Sequence, residues 1–166
     1  MDRYDDAILE MMDSVPTGLA VSEATYIVKP FVGVGELRFG LPRDRFREIL
    51  GSASSSFSRG EHPAIHTDAF DTIGIQLSFD PEGCLEFVEL YPPARVAYLG
   101  VALLGNRHSL LAVTAELAAR NLIGTKDDVG FDYPTAGFGL FTRDNTTIEA
   151  VSVYPSGYYD ADVRVV

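Results

Sequence analysis

The chain has 166 residues, with 13 basic and 24 acidic side chains for a net charge of −11, and 46% of its residues are hydrophobic against 22% charged. That is the composition of an ordinary globular protein able to bury roughly 70% of its unfolded surface, which excludes disorder, collagen and coiled coil. A pI near 4.5 excludes general nucleic-acid binding, since phosphate contacts need an excess of Lys and Arg, and favours a basic protein partner.

The opening MDRYDDAILEMMDS places acids where an export signal needs a basic region, and no apolar run reaches the roughly 20 residues that cross a bilayer. Cys84 is the one cysteine, so no internal disulfide forms. A cytoplasmic protein is expected, with no membrane partner. A helix over 5–13 shows Ile8, Met11 and Met12 on one side, with acids at its positive end. A second helix spans about 42–50: Pro42 suits a first turn, Phe46, Ile49 and Leu50 share a face, and Gly51 suits a left-handed cap. Residues 51–60, rich in Ser and Gly, read as a mobile loop.

A strand is expected near 66–70. Ile75, Leu77 and Phe79 then alternate with Gln76 and Ser78, the period of a half-buried strand, and a Pro81-Glu82-Gly83 turn returns the chain into 85–91 as a hairpin. Beyond the short link 92–95, Asn106 is placed to cap a longer helix whose buried stripe is Leu110, Val113 and Leu117, with Gly124 past its end. A strand near 130–133 follows, and a second hairpin joins 138–142 to 148–153 through a five-residue loop of turn formers.

These elements repeat. Leu85 to Pro92 returns as Ile148 to Pro155 at an offset of 154 − 91 = 63 residues, Ile75 to Phe79 returns as Gly137 to Phe141 at 141 − 79 = 62, and Leu37 and Val101 each open a helical pattern. Matched blocks in one order indicate a duplicated unit. The expected fold class is α+β: tandem helix-plus-antiparallel-meander repeats over 33–93 and 94–166, after a lead-in over 1–32, with the helices on one face of an antiparallel sheet.

The stretch Gly33-Val34-Gly35-Glu36-Leu37-Arg38-Phe39-Gly40-Leu41-Pro42, its helix ending at Leu50-Gly51, and the later Phe79-Asp80-Pro81-Glu82-Gly83-Cys84-Leu85 resemble the small α/β repeat of β-lactamase inhibitor protein and of SmpA-type outer-membrane lipoproteins. The resemblance covers about 33–155. It implies a sheet whose uncovered, concave face binds another protein. The chain departs from the inhibitor in having one cysteine and no export signal, and no counterpart of the inhibitor's contact loops is found, so β-lactamase inhibition is not carried over.

Chemistry-bearing patterns are sparse. Gly33-Val34-Gly35 lacks the third glycine and the lysine of a phosphate loop. His62 and His66 have a metal-ligand spacing, but Pro63 lies between them and no cysteine pair supports them, so they read as loop histidines. His108 reads as a surface residue. Ser54 to Ser56 have no base at hand, and Cys84 has no basic neighbour to lower its pKa. The acid pairs Asp5-Asp6, Asp127-Asp128 and Asp160-Asp162 read as solvated faces.

The aromatic residues are more informative: 8 Tyr and 10 Phe, with no Trp. Phe131, Asp132, Tyr133, Tyr154, Tyr158, Tyr159 and Asp160 bring tyrosines beside carboxylates, and tyrosine gives rigid contact area with a hydrogen-bonding tip. The expectation is a non-enzymatic protein-binding module, an immunity protein or inhibitor acting on a basic partner, monomeric or weakly dimeric, without cofactor or metal. The alternative is a small-ligand binder or enzyme with a pocket between sheet and helices, built on His62, His66 or the acids of 127–132.

Overall fold

A computed structural model of the chain describes residues 24–58, 66–105 and 109–159. The helix expected over 5–13, the Asn106 cap, His62, His108 and Asp160 lie outside them. In chain order the elements are β1 (Thr25–Lys29), β2 (Gly33–Val34), β3 (Leu37–Arg38), α1 (Arg43–Leu50), β4 (Ser55–Ser58), β5 (His66–Phe70), β6 (Ile75–Phe79) and β7 (Leu85–Leu90). There follow β8 (Arg95–Tyr98), β9 (Val101–Leu104), α2 (Leu110–Ala119), β10 (Thr125–Lys126), β11 (Gly130–Tyr133), β12 (Phe138–Phe141) and β13 (Ala150–Val153).

The expected fold class is corrected by this arrangement. Strands hold 44% of the described residues and helices 15%, and the strands divide into two sheets. The fold is β-rich; it is not a tandem of helices lying on one antiparallel sheet. One sheet runs β3-β2-β1-β8-β9, and in it β1 pairs parallel with β8, Tyr26 opposite Val96. The other has eight antiparallel strands in the order β10-β11-β12-β13-β7-β6-β5-β4. The physical reason is that Thr25 to Arg38 and Arg95 to Leu104 form short hairpins whose edges pair with each other, which gives the first sheet its own backbone partners.

Both hairpins read from alternation are present. Ile75 faces Leu90 and Leu77 faces Val88 across β6 and β7, and Leu140 faces Val151 across β12 and β13. The two hairpins meet where β13 pairs with β7, Val153 opposite Val88. Register then fixes which side chains share a face. The row Ser56, Asp68, Leu77, Val88, Val153, Phe138, Tyr133 points inward. The adjacent row Ser55, Ala69, Gln76, Glu89, Ser152, Gly139, Asp132, Thr125 points outward.

Inward residues of both sheets and both helices form one core cluster, and Tyr98 of β8 meets Phe138 of β12 with ring centroids 5.4 Å apart. In α1, Phe46 packs on Phe79 at 5.8 Å, and Gly51 closes the helix at φ 82°, its N–H donating to Arg47 O. In α2, Leu110, Val113 and Leu117 are buried, and the capping oxygen belongs to Ser109, which accepts from Ala112 N at 3.1 Å.

The loop expected over 51–60 is corrected in part: Ser55–Ser58 is an edge strand held by β5. Its Ser56 hydroxyl donates to Asp68 at 2.5 Å, and Arg43 Nε donates to the same carboxylate at 2.8 Å. No helix of the described residues is long and apolar enough to cross a membrane.

Candidate functional site

The outward face of the eight-stranded sheet carries the densest grouping of aromatic and acidic side chains. Its central row, Glu89, Ser152, Gly139 and Asp132, consists of small or polar residues that each keep part of their surface exposed. Phe87 and Phe141 stand to either side of that row. Small side chains in the middle and rings at the margins make a trough.

Three concavities follow it. One of about 370 Å³ is lined by Asp127, Asp132, Gly139, Phe141, Ser152 and Tyr159, with neighbours from the same strands. A second of about 230 Å³ lies between Phe87, Glu89, Phe141, Ala150 and Ser152. The third, about 470 Å³, continues past Glu89 and Ala150 to Tyr91 and Arg143. The three share Phe141, so they form one shallow groove.

The segment after β13 folds over one end of this groove. Tyr154 is buried, and its hydroxyl donates to Asp132 Oδ1 at 2.6 Å. Tyr158 stacks on Phe87 with centroids 5.1 Å apart, and Tyr159 meets Tyr154 edge-on at 4.7 Å while remaining 52% exposed. Burial first, then the hydrogen bond and charge of Asp132, raise the Tyr154 hydroxyl well above the usual tyrosine range. Burial likewise pushes Tyr159 up to about 12, reinforced by Asp132, Tyr158, Asp127 and Glu89. The charges of Asp132, Asp127 and Glu89 all act in the same, raising direction on Tyr159, and two of these carboxylates line its concavity.

Asp132, Tyr154, Tyr158 and Tyr159 are therefore brought together as one arc. Tyr133 is not among them. It points inward, is 1% exposed and stacks on Phe138 at 4.8 Å, so it is a core residue. The reason is the strand period: neighbours on β11 face opposite sides. Phe131, on the same inward phase, is half-buried and packs against the core, though it also borders the first concavity.

Sequence reasoning missed Phe87, Glu89, Gly139, Phe141 and Ser152. Extending the period of two through β7 and β13 is the signal that reaches Phe87, Glu89 and Ser152. Gly139 has the plainest structural role, since a Cβ there would stand 3.1 Å from Ser152 Oγ.

The remaining candidates serve the fold. Gly33 lies where a Cβ would meet Leu37 O at 2.0 Å, so its glycine permits a close backbone crossing between β2 and β3. His66 is exposed at the start of β5, and Ser54 Oγ accepts from Asp71 N at 3.0 Å. Cys84 is half-buried, with its N–H donating to Asp80 Oδ1 at 2.9 Å. Asp127 Oδ1 accepts from the Val129 and Gly130 amides at 2.8 Å each. Among the described residues no three His, Cys, Asp or Glu side chains gather as metal ligands.

Fold and site together define a β-rich two-sheet protein with an open acidic-aromatic groove on one sheet face. Comparison with protein-family models, with curated proteins and with solved structures returned no match.

Proposed function

We propose that the protein is a non-enzymatic binding module that docks a basic segment of another protein along the outer groove, in the manner of an immunity protein or inhibitor. The observation that carries this reading is that Asp127, Asp132 and Tyr159 line one concavity, which runs on through Phe141 into another lined by Phe87 and Glu89. Aromatic rings offer contact area and a face for guanidinium or ammonium groups, and the carboxylates steer and orient a cationic partner. The groove runs across the strands, a shape for an extended partner surface more than for an enclosed substrate. The lone cysteine and the acidic charge fit a cytoplasmic setting, and an exposed concave sheet face is what the resemblance to the inhibitor repeat implies.

Titration with an arginine-rich peptide, followed by calorimetry at two salt concentrations, tests the reading. Wild type binds, more weakly at high salt; Ser152→Arg, which fills the groove and reverses its charge, abolishes binding, and Leu111→Ala on exposed α2 leaves it unchanged. Equal binding by wild type and Ser152→Arg overturns the proposal. A second reading, a small cationic ligand, is favoured by Asp127 and Asp132 lining the same concavity of about 370 Å³. It predicts that arginine amide alone stabilises wild type against heat and that the longer peptide binds no better.

A further inference from the structure

We infer that the outer groove recognises lysine, a primary ammonium on a methylene stem, in preference to arginine. This names the partner chemistry of the groove proposed above and rests on that reading. The ammonium docks in the concavity of about 370 Å³ that Asp127, Asp132, Phe141, Ser152 and Tyr159 help to line.

Gly139 makes the cradle. A Cβ at this position would stand 3.1 Å from Ser152 Oγ and 3.6 Å from both Asp132 Oδ1 and the Phe131 carbonyl oxygen. With glycine that space is left to a ligand, and oxygens of three different residues border it. Oxygens that approach from separate residues suit a compact head with three rotatable donors, which is the lysine ammonium. Asp132, and Asp127 in the same concavity, supply the opposite charge. Val129, Phe131 and Phe141 also line it and give the stem apolar surface to lie along.

The carboxylates are arranged against a guanidinium. Arginine's advantage is a planar fork that grips both oxygens of one carboxylate. Asp127 Oδ1 accepts from the Val129 and Gly130 amides at 2.8 Å each, which uses both of its lone pairs. Asp132 Oδ1 holds the Tyr154 hydroxyl at 2.6 Å. Neither carboxylate can turn both oxygens to a fork without disturbing a bond that orders the chain: the turn into β11 for Asp127, the segment after β13 for Asp132. Lysine needs no fork. Contact with the faces of Phe141 or Tyr159 is open to either head, so the rings add strength without choosing between them.

The test titrates the full chain at low salt with three peptides of equal length and charge, whose cations are all lysine, all arginine or all trimethyllysine. Wild type is expected to bind the lysine peptide about tenfold tighter than either of the others, the worth of one added hydrogen bond. Gly139→Ala, whose Cβ fills the cradle, brings the three affinities level. Circular dichroism checks that this variant is folded; if it is not, Ser152→Ala, which removes one bordering oxygen, replaces it with the same expectation. Arginine or trimethyllysine binding as tightly as lysine overturns the inference and leaves the groove reading standing. So does a lysine preference that the cradle variant leaves unchanged. Binding of none of the three overturns the groove reading, and the inference with it.

Discussion

The Tyr154 hydroxyl and the Asp132 carboxylate are joined at 2.6 Å beside the bare backbone of Gly139, where an added Cβ would stand 3.6 Å from the same oxygen. One bond thereby ties the segment after β13 to β11, two strands away in the sheet. It holds Tyr158 and Tyr159 over the groove, so it is the hinge between fold and proposed function.

Removing that hydroxyl has a stability effect with a definite sign. Tyr154→Phe is expected to cost about 1 kcal/mol at neutral pH, the net worth of one buried hydrogen bond. The folded-state pKa of Tyr154 is raised above its ordinary 10.0. Its contribution is therefore fully present below pH 10 and is lost as pH rises from there toward the folded value. Above pH 10 the wild type should lose stability more steeply than Tyr154→Phe, by one proton, about 1.4 kcal/mol per pH unit. Urea unfolding at neutral pH and at several alkaline values measures both; equal slopes for the two proteins would show that Tyr154 is not protected.

Tyr133 and Tyr159 separate core from surface in the aromatic cluster. Tyr133→Ala removes a ring that is 1% exposed and stacked on Phe138, and should cost about 3–5 kcal/mol. Tyr159→Ala removes a half-exposed ring and should cost under about 1 kcal/mol while weakening capture of a basic peptide. Thermal unfolding compared with peptide binding checks the pair. A Tyr159→Ala protein that unfolds as readily as Tyr133→Ala would mean that the arc is structural.

What could be read from the residues follows the range of the interactions. The hairpins β6–β7 and β12–β13 were legible because alternation and turn chemistry are local, and α1 because Pro42 and Gly51 mark its ends. The two-sheet division was not legible. Tyr26 pairs in parallel with Val96, and no local pattern signals a partner 70 positions away (96 − 26). Ser55–Ser58 has the composition of a loop and becomes a strand because β5 supplies its hydrogen bonds, a tertiary override of propensity. The site was half legible: tyrosines beside acids marked the region, but reading them as one patch ignored the strand period that turns Tyr133 inward and Asp132 outward.

Asp68 shows how the same inward row ends at the opposite margin of the sheet, and its chemistry is testable by pH. The side chain is 1% exposed, yet it is met by Arg43 Nε at 2.8 Å and by the Ser56 hydroxyl, with Arg47 at 4.0 Å. Burial works to raise its pKa; the hydrogen bonds from Arg43 and Ser56 and the charges of both arginines outweigh it and hold the carboxyl below its ordinary 3.8. Asp68→Asn leaves Arg43 without its anion and should cost about 3 kcal/mol at pH 7, the lower end for a broken buried pair because Arg43 keeps a quarter of its surface in water. A depressed carboxylate stabilises the fold above its unfolded value and loses that contribution as pH falls through the folded one. The gap between wild type and Asp68→Asn should therefore be constant above about pH 5 and close as pH drops below 3.8. Chemical unfolding of both proteins across that interval decides it, and a gap that widens in acid would mean that Asp68 is not ionised in the folded chain.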